Sequence, residues 1–168
     1  MKTMQSSIFF LLLLGVSLGF AAPPELSEVQ LVQGTCPMSW FSFNGHCYKY
    51  VSNQTTWADA EIYCVSQSSN LVSIHSLEEH NFVKSLIQKF DPILGRTWIG
   101  LSDIHKEGAW MWSDGCPVVF TKWFQGQPDN AGGNEHCVEI CYGHHNTWND
   151  VPCSNTYASV CATRKLGC

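Results

Sequence analysis

The stretch QPDNAGGNEHCVEI, residues 127–140, sets an amide, a proline, two carboxylates and a pair of glycines ahead of a cysteine and an apolar run. Pro128, Asp129, Gly132 and Gly133 suit a tight turn on backbone grounds alone. A turn has no need of Gln127, Asp129 and Glu135 together, so the reading depends on what surrounds them. Upstream, residues 121–135 show no apolar periodicity, and a long irregular segment inside a small domain is usually either functional or disordered. Downstream, residues 137–140 read as a short strand, and Asn149 and Asp150 add another amide and carboxylate after Trp148.

Further out, the pattern resolves into helices followed by strands. Residues 36–50 alternate aromatic and polar side chains around Asn44 and Gly45, which predicts a hairpin. Thr56 with Asp59, and Ser76 with Glu79, are capping signals. They predict a first helix to about Gln67, with Trp57, Ala60, Ile62 and Cys64 as its apolar positions. A second runs to Lys89, with Leu77, Phe82, Val83, Leu86, Ile87 and Phe90 at helical spacing. Pro92 ends it. Short strands are expected over 98–101, 110–112, 118–120, 137–140 and 157–162.

The whole chain has 168 residues, enough for one domain with a real core. Lys2, an apolar run over 8–16 and the small residues Gly19 and Ala21 predict a signal peptide over 1–21. Residues 22–35 read as an N-terminal arm and 36–168 as the domain. No later stretch reaches the roughly 20 apolar residues of a membrane span, so a secreted, soluble protein without membrane insertion is expected. Fourteen acidic side chains against nine basic ones exclude a general nucleic-acid binder. Nine cysteines in an oxidising compartment read as a disulfide framework, and the odd count requires at least one to stay free or reach another chain. Asn53 heads the one glycosylation sequon. A zinc reading of Cys137, Cys141, His144 and His145 is disfavoured because such thiols oxidise outside the cell. No nucleophile motif is present, so the chain is not expected to be an enzyme.

Taken in order, WIGL at Trp98, WSDG at Trp112, QPD at Gln127, CVEI at Cys137 and WND at Trp148 resemble the C-type lectin domain family. Within it, the chain most resembles small secreted fish galactose-specific lectins of the nattectin type. The resemblance implies an α+β fold, with two helices flanking antiparallel strands and a long loop region that binds calcium and sugar. It implies disulfides Cys36–Cys47, Cys64–Cys161 and Cys137–Cys153, and leaves Cys116, Cys141 and Cys168 over. It also implies a Ca²⁺ site built from Gln127, Asp129, Glu135, Asn149 and Asp150, with a cis bond before Pro128, and a sugar whose hydroxyls meet those same five side chains. The amide-then-acid order of QPD implies galactose-containing glycans as partners. A looser likeness to venom lectins implies a disulfide-linked homodimer through Cys116, with Cys168 as the second candidate. The expected function is calcium-dependent carbohydrate binding that cross-links glycans when oligomeric. The alternative is a toxin-like or antifreeze-like member of the fold without sugar activity.

Overall fold

Both helices begin at the capping residues read from the sequence, in a computed structural model whose described residues are 30–163. The expected signal peptide, most of the 22–35 arm and Cys168 lie outside that range. Thr56 Oγ1 accepts the Asp59 N–H at 3.3 Å and opens α1, Trp57–Ser66. Ser76 Oγ accepts the Glu79 N–H at 3.1 Å and opens α2, Leu77–Phe90.

The strands are β1, Phe41–Phe43; β2, His46–Thr55; β3, Asn70–Leu71; β4, Thr97–Ser102; β5, Met111–Trp112; β6, Cys137–Tyr142; β7, Thr147–Val151; and β8, Tyr157–Thr163. They form one sheet in the order β1-β2-β8-β4-β6-β7, with β3 paired to β8 and β5 to β4. The strand pairs are antiparallel except β4 with β8, which is parallel. The expectation of antiparallel strands is therefore met only in part. Pairing antiparallel to β2 sets the direction of β8, and that direction is the one β4 already has.

Three local expectations are corrected. Residues 118–120 form no strand: Val119 is 71% exposed, while Phe120 lies edge-on to Trp148 at 5.8 Å. Ile62 faces solvent, because α1 buries Trp57, Ala60 and Cys64 at spacings of three and four. Residues 147–151, read only as a source of polar side chains, are strand β7, held by its pairing with β6.

The apolar face of α2, carrying Phe82, Val83, Leu86 and Ile87, packs with Ile99, Leu101, Val138, Ile140, Trp148 and Val160 of the sheet. A second cluster joins Trp57, Ala60 and Cys64 of α1 to Trp40, Leu71, Trp98 and Cys161. The implied disulfides Cys36–Cys47, Cys64–Cys161 and Cys137–Cys153 are all present. Cys64–Cys161 spans 97 residues and ties α1 to β8, while Cys137–Cys153 clamps β6 to the end of β7. In the chain-entropy account, closing a loop as long as the former contributes about 4 to 5 kcal/mol.

Among the described residues Cys141 is the free cysteine; it is buried, and burial pushes its thiol up to about 12. Cys116 is 7% exposed and already disulfide-bonded in the single chain, so the interchain bridge expected there is not supported. The zinc reading fails for a related reason, since Cys137 is bonded to Cys153.

Candidate functional site

The long loop is laid along the open edge of β7. Trp148 N–H donates to the Lys122 carbonyl at 2.9 Å, and Phe124 N–H to the Trp148 carbonyl at 2.8 Å. The chain then turns, with Gln127 N–H on the Phe124 carbonyl at 2.9 Å, and the Gln127–Pro128 bond is cis. Beyond it the loop wraps around one carboxylate. Asp150 Oδ1 accepts the Asp129 N–H at 3.2 Å, and its Oδ2 accepts the Asn130 N–H at 2.8 Å. Asn130, at a φ of 44°, closes the turn with its own Oδ1, which accepts the Glu135 N–H at 3.0 Å. Gly132 and Gly133, at φ of 72° and 74°, meet the backbone need read from the sequence.

This winding gathers charge. One carboxylate oxygen from each of Asp129, Glu135 and Asp150 lies within 4.8 Å of the others. The Glu135 carboxyl is raised above its ordinary range, by burial first and then by Asp150 and Asp129, against the Ala131 N–H that stabilises its ionised form. Two expected amides, Gln127 and Asn149, each hold a buried side-chain oxygen with no hydrogen-bond partner. Asn149 Nδ2 donates to Glu139 Oε1 at 3.1 Å, which leaves Oδ1 as its unused end. A buried polar atom left without a partner costs about 1 to 3 kcal/mol, and gathering three carboxylates adds mutual repulsion. Carboxylate and amide oxygens are the donors a hard divalent cation takes, and the residue set fits Ca²⁺ on that ground.

Sequence reasoning missed the supports of this site. Glu139 is fully buried on β6, opposite Asn149, and Arg96 approaches it at 3.5 Å. Burial pushes its carboxyl up to about 7, against the Asn149 amide and Arg96, while Glu135 adds to the rise. Its signal was an acid inside the apolar run CVEI. A second brace lies behind the turn. Buried Asp103 takes His136 Nδ1 at 3.0 Å and the Gly108 N–H at 2.7 Å, while Glu107 takes Asn130 Nδ2 at 2.7 Å. Asn53, the sequon residue, is exposed on β2.

Below the site, Trp148 Nε1–H donates to His80 Nδ1 at 3.2 Å. Burial, then Lys122 and Lys84, hold His80 down to about 4, while a bond to the Asn146 backbone opposes them. A histidine with its folded pKa below 6.5 stabilises the fold above about 6.5. That contribution is lost as pH falls through about 4, a loss on the order of 3 kcal/mol. Glu139 has the opposite sign: its raised pKa favours the fold below about 4.5, and this is lost as pH rises through about 7. In chelator, urea unfolding of the wild type should therefore vary little between these limits. Glu139→Gln should uncover a fall in stability on acidification from pH 6.5 to 4, and an unchanged profile in that variant would contradict the assignment.

A helix-flanked mixed sheet with a loop-built oxygen cluster at its edge strand is the architecture of a C-type lectin-like domain. The family model "Lectin C-type domain" matches residues 53–163, and the chain belongs to that family. It is 40% identical over 140 residues to the lactose-binding lectin l-2 of Anguilla japonica, covering 81% of this chain and 82% of that protein. To the galactose-specific lectin nattectin of Thalassophryne nattereri it is 35% identical over 151 residues, covering 90% and 92%. The solved structure of herring type II antifreeze protein superposes with a TM-score of 0.72 at 38% identity, covering 79% of this chain and all of that one. No described helix is long and apolar enough to cross a membrane.

Proposed function

We propose that the chain is an extracellular, calcium-dependent lectin of galactose-type specificity, a binding protein and not an enzyme. The observation that carries this reading is the convergence of the Asp129, Glu135 and Asp150 carboxylates, with partnerless buried amide oxygens on Gln127 and Asn149, which lie two residues before Asp129 and next to Asp150 in the chain. Those five side chains would hold Ca²⁺, and a bound ion supplies positive charge and open coordination positions for two neighbouring sugar hydroxyls. Amides donate and accept, whereas ionised carboxylates only accept, so the order Gln127 then Asp129 selects the direction of the hydrogen bonds a hydroxyl pair must make. The names of the eel lectin and of nattectin, lactose-binding and galactose-specific, support the same ligand class. Disulfides in the fold and the leader-like residues 1–21 support an extracellular setting.

The test is elution from immobilised galactose by chelator, with immobilised mannose in parallel. Wild type is expected on galactose only, released by chelator. Gln127→Glu with Asp129→Asn keeps the donor count and formal charge but moves the amide, and should shift retention towards mannose by one to two powers of ten. Retention that ignores chelator defeats the calcium reading; an unaltered ranking in the double variant defeats QPD as the selector. A second reading, ice binding without sugar, is favoured by the likeness to the herring antifreeze protein. Thermal hysteresis in a protein that no galactoside column retains would establish it instead.

A further inference from the structure

A cleft of about 520 Å³ opens between α2, the Lys122–Gln125 stretch of the long loop and the turn joining β6 to β7. Lys84 and Lys122, both half-buried, and the exposed His144 and His145 line it, with Trp123 and Phe124 as an aromatic wall. No carboxylate lines it, although acids outnumber bases in the chain as a whole. Among the described residues neither lysine makes an ion pair. Half-burying two like charges without a counter-charge is unfavourable, and an anion in the cleft relieves it.

We propose that this cleft binds the anionic group of an acidic glycan, a sulfate ester or a sugar carboxylate, beside the calcium site. Gln125 lines the cleft two residues before Gln127, and Thr147 lines it two residues before Asn149. Along extended β7 two residues span about 7 Å, and the chain turns between Gln125 and Gln127, so one oligosaccharide can reach both places. The aromatic wall covers a ring face, while the lysines meet the charge. Burial does most to lower the His80 pKa, and Lys122 and Lys84 add to it from the same cleft, which His80 also lines. The glycan part rests on the calcium-site reading; the anion part does not.

Two measurements separate them. In chelator, inorganic sulfate is titrated against chloride at constant ionic strength, following the Trp123 indole and the His144 and His145 rings by NMR. Saturable shifts are expected in wild type, lost in Lys84→Gln with Lys122→Gln and retained in Lys84→Arg with Lys122→Arg. Absence of saturation, or equal shifts in the glutamine variant, overturns the cleft. With calcium, galactosides bearing sulfate or sialic acid are compared with the unsubstituted sugar. At least one should bind about tenfold more tightly, the gain expected from a charge-assisted contact, and the glutamine variant should lose that gain alone. A gain confined to one of them names the source. Acidic glycans no tighter than neutral ones overturn the glycan part, and sulfate binding without any galactoside binding refutes the calcium-site reading while leaving the anion site standing.

Discussion

Asp150→Ala should lower calcium-dependent glycan affinity by at least about a hundredfold while the domain stays folded. The side chain is one of three clustered carboxylates, and its two oxygens also hold the Asp129 and Asn130 backbone N–H groups. Its loss therefore removes charge from the site and releases the turn that presents Asp129. Hydrogen bonds to charged groups contribute about 1.5 to 3 kcal/mol each, so losing two of them accounts for the factor. Asp150→Asn keeps an oxygen for one N–H and should lose less of the turn than of the ion affinity. Calcium titration calorimetry and circular dichroism check both, and Asp150→Ala with wild-type calcium affinity would remove Asp150 from the ligand set.

Trp148→Ala should cost about 3 to 5 kcal/mol in urea unfolding and abolish binding as well. Trp148 is fully buried, with Trp112, Phe120 and Trp123 edge-on at 5.8, 5.8 and 6.0 Å. Its backbone anchors the loop through Lys122 and Phe124, and its side chain satisfies His80. Trp148→Phe separates the packing of the ring from the indole N–H bond to His80. It keeps a ring but leaves His80 Nδ1 without its donor, at about 1 to 3 kcal/mol. A phenylalanine variant as unstable as the alanine one would show that ring volume is not what Trp148 supplies.

Local rules made much of this molecule legible from its residues. Thr56 and Ser76 cap because a side-chain oxygen three residues before a free N–H can reach it, and the apolar stripe of α2 needs only helical periodicity. Residues 118–120 misled because an apolar triplet resembles a strand whether or not a neighbour pairs with it. β7 was missed for the converse reason: Thr147, Asn149 and Asp150 are polar, yet the ladder with β6 makes the strand.

Several features belong to the tertiary structure alone. The pairing of Cys116 depends on which sulfurs the packed fold brings together, as does the isolation of Cys141. Glu139 braces the Asn149 amide from β6, Glu107 holds the Asn130 amide, and Asp103, just past β4, holds His136 from thirty-three residues away in sequence. The lysine cleft joins α2 to a loop some forty residues later, and no periodicity records that approach. The sequence by itself determined the two capped helices and, by family resemblance, the disulfide pairs, and it put forward the five oxygen-bearing residues as a candidate site. Only the tertiary structure decided that Asp129, Glu135 and Asp150 converge within 4.8 Å while Gln127 and Asn149 keep unpaired oxygens. Capping and helical periodicity act between near neighbours along the chain, whereas the convergence of charge and the exclusion of water arise only when distant segments pack.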